Sequence, residues 1–92
     1  MNSLEKDLHR PDPAFWAEQE VREMLAVRDI AALYQYLRRY GFSQNHIARL
    51  TGQSQPEVSA ITRGLRRVQS FDVLLRIADG LGIPRELLVA GC

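Results

Sequence analysis

Little in this chain suits covalent or metal chemistry. Its one cysteine is Cys92, the last residue, and its only histidines are His9 and His46, far apart in sequence. That excludes an internal disulfide framework and a cysteine-based zinc site, and a thiol without a role is expected at Cys92. Apolar residues never run for more than a few positions, so no segment has the length to cross a membrane. Met1–Arg10 is polar and mixed in charge, unlike a secretory signal, which makes the cytoplasm the expected compartment. No stretch alternates with a period of two, so strands are not expected. There is no Ser/His/Asp ordering, no Gly-rich phosphate cradle and no carboxylate pair in a cleft-forming loop. The chain is expected to be no enzyme and to use no cofactor and no metal.

What it does have is helical periodicity and an uneven charge. With 92 residues, 46% hydrophobic and 25% charged, it fits one modest globular core rather than a disordered segment. The net charge of +1 conceals an asymmetry. Residues 1–33 hold four cations against seven carboxylates, while residues 34–92 hold eight against four, and all eight are arginine. Arginine is the side chain best shaped for forked contacts to phosphate and guanine, so the second part points weakly to a polyanionic partner.

Gly and Pro divide the helical pattern. Asp12-Pro13 reads as a helix start, with Asp at the cap and Pro at the first helical position. One continuous helix should follow, carrying Phe15, Trp16, Val21, Met24 and Leu25 and ending near Val27. Asp29 caps a second helix with Ile30, Leu33, Tyr34 and Leu37 on one face, stopped at Gly41. Tyr34, Tyr36 and Tyr40 read as core and core rim. Ser43 opens a short third helix, with Ile47 and Ala48 inward, His46 outward and Gly52 at its close. Ser54-Gln55-Pro56-Glu57 is the best local signal in the chain. It is a capping box: Ser54 bonds the Glu57 N–H, Glu57 reaches back to the cap, and Pro56 sits where a missing N–H costs nothing. Val58 and Ile61 point inward, and Gly64 ends the helix. After the basic loop Leu65-Arg66-Arg67-Val68-Gln69, Ser70 caps a helix with a stripe of Phe71, Leu74, Leu75 and Ala78. Gly80 and Gly82 should loosen its end, and Pro84 starts a last turn or two with Leu87 and Leu88.

Ser43–Gly64 is the informative stretch. Two helices can cross steeply over so short a turn only if a small residue sits at the crossing, the turn tolerates positive φ, and the second helix points apolar residues inward. Ala48, Gly52, and Val58 with Ile61 meet those conditions. That geometry is the helix-turn-helix, whose second helix presents its N-terminal residues to the major groove of DNA.

From Tyr40 to Val89 the chain resembles the Cro/phage-repressor (XRE) family without a gap. The likeness is carried by Phe42-Ser43-Gln44, Ile47-Ala48, Thr51-Gly52-Gln53-Ser54-Gln55, Val58-Ser59, Ile61, Arg63-Gly64, Ser70, Leu74, Ile77-Ala78, Leu81-Gly82-Ile83 and Leu87-Leu88. The resemblance implies an all-α fold, a compact five-helix lambda-repressor-like bundle, here with one additional N-terminal helix. It also implies contacts to double-stranded DNA: Gln44, which in addition buttresses the second helix of the motif, Ser54, Arg63, Arg66 and Arg67 to phosphate, and Gln55, Pro56, Ser59 and Ala60 to base edges. Chemistry agrees where it can, since a Gln amide pairs bidentately with adenine and a Ser hydroxyl serves either kind of base. Helix N-termini at Ser43 and Ser54 offer oriented N–H groups to phosphate oxygens. Pro56 and Ala60 stand where some relatives carry long polar readers. Glu57 faces outward as well, but its cap gives it a structural reason.

The expected layout is an arm over residues 1–11, an extra helix over 12–28 and the DNA-binding domain over 29–92. The extra helix packs on its own domain or dimerises, and the exposed parts of Leu81–Val89 could do the same work, so the candidate dimer interface is Phe15, Trp16, Val21, Met24 and Leu25 with Leu87 and Leu88. A repressor acting as a homodimer is the leading reading, since this family usually reads two half-sites as two-fold dimers. An antitoxin whose apolar N-terminal helix faces a toxin, the head of a longer regulator, and a protein-only interaction module are the alternatives.

Overall fold

The structure, a computed structural model, describes residues 9–89. Among them lie one 3-10 turn, Pro13–Ala17, and six α-helices, with no strand. The helices are α1 (Gln19–Ala26), α2 (Ile30–Arg39), α3 (Gln44–Thr51), α4 (Gln55–Thr62), α5 (Phe71–Leu81) and α6 (Arg85–Val89). The expectations about residues 1–8 and Cys92 fall outside the described residues.

Four of the helices start where the sequence puts a capping side chain. Asp29 accepts the Ala32 N–H at 3.1 Å, Ser43 that of His46 at 3.0 Å, Ser54 that of Glu57 at 3.2 Å and Ser70 that of Val73 at 3.4 Å. Each such cap is worth about 1 kcal/mol. Behind them the inward faces merge into one core: Ile30, Leu33, Tyr34 and Leu37 from α2, Ile47 and Ala48 from α3, Val58 and Ile61 from α4. Helix α5 contributes Leu74, Ile77, Ala78 and Leu81, and α6 contributes Leu88. The expected α5 stripe is therefore shifted: Phe71, at its first position, is 51% exposed, and Leu75 is only half-buried.

Gly80 does not loosen α5. It lies inside the helix, where a Cβ would overlap the carbonyl of Leu50 on α3. Its missing side chain lets the two backbones touch. Gly82 then ends α5 in the left-handed region, and a two-pronged bond from Arg85 to Asp79 at 2.9 and 2.8 Å spans the turn into α6. Hydrogen bonding by Arg85 holds the Asp79 carboxyl below its ordinary range. Both side chains are more than half exposed, so the pair fixes geometry more than it adds stability.

The N-terminal addition is not one helix. Asp12 accepts the Ala14 N–H, the chain makes a 3-10 turn, and Glu18 is extended (ψ 134°) before α1 begins. Phe15 and Trp16 both lie in the 3-10 turn, and the extended Glu18 after it frees that turn from the direction of α1. The break delivers both to the core: Trp16 is buried, and Phe15 packs against Tyr36, Tyr40 and Phe42 with ring centroids 6.0, 5.3 and 6.4 Å away. Tyr40 is the outermost of these rings, at 58% exposed. The Trp16 indole N–H is buried with no acceptor among the described residues.

Helix α1 closes without a glycine. Arg28 takes the left-handed position (φ 57°), and its Nε donates to the Leu88 carbonyl at 2.9 Å, tying the addition to α6. Residues 9–11 of the expected arm also lie on the domain: Pro11 is buried, the His9 ring stacks 6.1 Å from that of Phe42, and His46 Nε2–H donates to the His9 carbonyl at 2.6 Å. His46, expected as a solvated residue, is half-buried there.

Candidate nucleic-acid interface

The turn between α3 and α4 decides how the second helix is presented. Gly52 stands at φ 75°, and the Gln53 N–H returns to the Ala48 carbonyl at 3.0 Å, closing α3 abruptly. A side chain at Gly52 would carry the left-handed penalty and crowd Arg76 as well. Two residues later Ser54 caps α4, so the reading helix starts at a fixed point and in a fixed direction. Helix α4 ends in the same style. Gly64 is at φ 76°, with the Leu65 N–H on the Ala60 carbonyl at 2.9 Å and the Gly64 N–H on Ile61 at 3.0 Å.

Inside the turn lies a polar cluster that the sequence reading missed. Gln53 is buried and accepts from the Tyr34 hydroxyl at 2.6 Å, with Thr51 Oγ1 at 3.1 Å from the same oxygen. The Thr51 hydroxyl also faces the Ile47 carbonyl at 2.8 Å. Burial keeps the Tyr34 phenol protonated far above its usual range. The amide nitrogen of Gln53 points the other way, to Glu57 Oε2 at 3.4 Å. Glu57 therefore does not reach back to the cap as a capping box would have it; Gln53 takes its carboxylate instead. A glutamine between Gly52 and Ser54 reads as a surface residue by composition, and only the steep crossing turns it inward.

On the outer side of α4, Gln55 and Pro56 are exposed and Ser59 and Ala60 are half-exposed, one turn further on. Val58, Ile61 and Thr62 are buried on the opposite side. Gln55 does not stand alone: its Nε2 donates to Gln44 Oε1, on α3, at 2.9 Å. An amide nitrogen has two hydrogens, so Gln55 keeps one donor and its carbonyl oxygen, and Gln44 keeps its own NH2, for further partners. Ser54 and Arg63 are exposed at the two ends of α4.

Arg66 and Arg67 are exposed beyond Gly64 and line two adjoining grooves with Val68. One groove runs to the α1–α2 turn at Val27–Ala31; the other runs past Glu57 to Ser70 and Val73. Among the expected contact residues are thus a linked pair, Gln44 with Gln55, and a separate basic edge of Arg66 and Arg67. Leu65, 70% exposed, and Val27, 73% exposed, flank that edge.

The candidate dimer residues divide differently. Trp16, Val21, Leu25 and Leu88 are buried in the domain's own core. Phe15, Met24 and Leu87 are half-buried against the same core. No cluster of three or more metal-binding side chains occurs among the described residues, and none of their helices is long and apolar enough to cross a membrane.

Comparison with known proteins bears on the whole arrangement. A profile of the helix-turn-helix family matches residues 33–88, taking in most of α2 as well as the stretch from Tyr40 onward. No curated protein and no solved structure matches significantly. The matched span covers more than half of the chain and contains the steep turn, the capped reading helix and both trailing helices. The chain belongs to the helix-turn-helix family, in its Cro/phage-repressor form, and carries a DNA-binding regulatory domain.

Proposed function

We propose that this protein is a sequence-specific transcription regulator, a repressor that binds as a homodimer and lays α4 in the major groove. The observation that carries this reading is the Gln44–Gln55 bond, which holds an amide with spare donor and acceptor capacity on an unobstructed helix face. Gln55 and Ser59 read base edges, while Pro56 and Ala60 supply shape and contact with thymine methyl groups. Gln44, Ser54, Arg63, Arg66 and Arg67 hold phosphates and fix the register. The dimer contact does not use the addition's core residues, which also removes the motive for a toxin-facing surface there. The exposed side chains Val27 and Leu65 are the better candidates for a contact between copies.

Selection of bound sequences from a random duplex pool tests the reading, since it gives motif, symmetry and half-site spacing together. A two-fold motif is expected; no enrichment would overturn it. On the selected site, Gln55→Ala should cost on the order of 1–3 kcal/mol at one base pair and leave non-specific binding alone. Arg63→Ala should weaken all duplexes alike and lower the salt slope by about one. A uniform loss from Gln55→Ala would make Gln55 a phosphate contact instead.

A further inference from the structure

Glu57 poses a difficulty for a surface meant to meet phosphates. It sits on the first turn of α4 and lines one groove with Arg66 and Arg67. Yet it forms no ion pair with either arginine, and its carboxylate lies on Gln53 Nε2 at 3.4 Å. The orientation of that amide is set by chemistry: a carboxylate only accepts, so the NH2 faces Glu57, and the oxygen faces the hydroxyls of Tyr34 and Thr51. Tyr34 and Thr51 are fully buried and Gln53 nearly so. The chain Tyr34–Gln53–Glu57 thus runs from α2, through the turn, to the reading helix.

We propose that Gln53 is a positioning residue for DNA binding: it holds Glu57 against the turn and so keeps Arg66 and Arg67 available to phosphate. This rests on the DNA-binding reading given above. Released from Gln53, the carboxylate has two guanidinium groups along its own groove, and an Arg fork pairs with a carboxylate by the same geometry that it offers a phosphate. Each arginine so engaged is one phosphate contact fewer. On duplex DNA that removes about 0.9 from the slope of log affinity against log salt.

The test uses the full chain and a random-sequence duplex. Tyr34→Phe/Gln53→Leu replaces both polar partners by apolar ones, a change that is near neutral when shape is kept; a thermal melt checks that the variant folds. Its salt slope should be shallower than that of the wild type by about 0.9. Adding Glu57→Gln to the double variant should restore the slope, a rescue that mere loss of packing would not give. An unchanged slope in the double variant, or no recovery in the triple, overturns the proposal. Should the double variant not fold, Glu57→Gln alone decides: the slope should stay as in the wild type, and a steeper one means that Glu57 already competes. A wild type with salt-dependent affinity but no preferred sequence would sink the regulator reading and leave this test intact. Absence of any duplex binding overturns both.

Discussion

The helix-turn-helix over residues 43–64 and the addition over residues 13–28 are built by different means. The first is held at the backbone. Two serine caps, two left-handed glycines and a side-chain-free crossing at Gly80 set where α3, α4 and α5 lie. The second is held by side chains: an aromatic cluster around Phe15, a buried indole whose N–H has no acceptor among the described residues, and an arginine in a conformation that glycine would take more easily. A surface that must meet DNA in one register tolerates little displacement. A cover over α2 and α6 needs only to exclude water.

The comparison can be broken, or sharpened, by substitution. The largest effect is expected at Gly80. Gly80→Ala forces the α3 and α5 backbones apart and should cost about 3 kcal/mol or more, read as a fall in Tm of roughly 12 °C or more. A loss below about 1 kcal/mol would mean that the crossing has slack, and the contrast would fail. Next comes Ser54→Ala, which removes the cap of the reading helix. It should cost about 1 kcal/mol in chemical denaturation and weaken binding to every duplex.

Arg28 tests the addition by a pair of variants. Arg28→Ala keeps the left-handed strain and loses the bond to Leu88, so about 1 kcal/mol should be lost. Arg28→Gly loses the same bond but relieves the strain and should fall within about 0.5 kcal/mol of the wild type. Equal losses in the two would show that φ at this position carries no strain. The smallest effect belongs to Trp16→Phe. Lost packing is offset by removal of a buried donor with no acceptor, and stability should change by no more than about 1 kcal/mol. A loss near 3 kcal/mol would show that the indole N–H has a partner.

The same contrast explains what the sequence disclosed. The helix-turn-helix was legible because its determinants are local: Ser43, Gly52, Ser54 and Gly64 act on their own backbone within a few residues. Helix count, caps and the buried pair Val58 and Ile61 follow from that. The addition was misread as one helix because its break at Glu18 serves the packing of Phe15 on Tyr36, Tyr40 and Phe42, more than twenty residues further along the chain. Gly80 was misread for the same reason, since a glycine's role at a crossing depends on the helix beneath it. Likewise the site's exposed residues could be named from the sequence, and the resemblance set Gln44 against the second helix, but the buried link from Tyr34 to Gln53 could not be read. Gln44 meets Gln55 and Tyr34 meets Gln53 only after the turn has folded.

The tie between Arg28 and Leu88 has a consequence in time rather than in place. It joins positions 60 apart in sequence, so its loop must close before the bond returns anything, whereas the turn at Gly52 closes over a few residues. On loop-closure grounds the helix-turn-helix is expected to organise first, with docking of α1 on α6 following the rate-limiting step. Weakening that tie should leave the folding rate nearly untouched and appear almost wholly as faster unfolding.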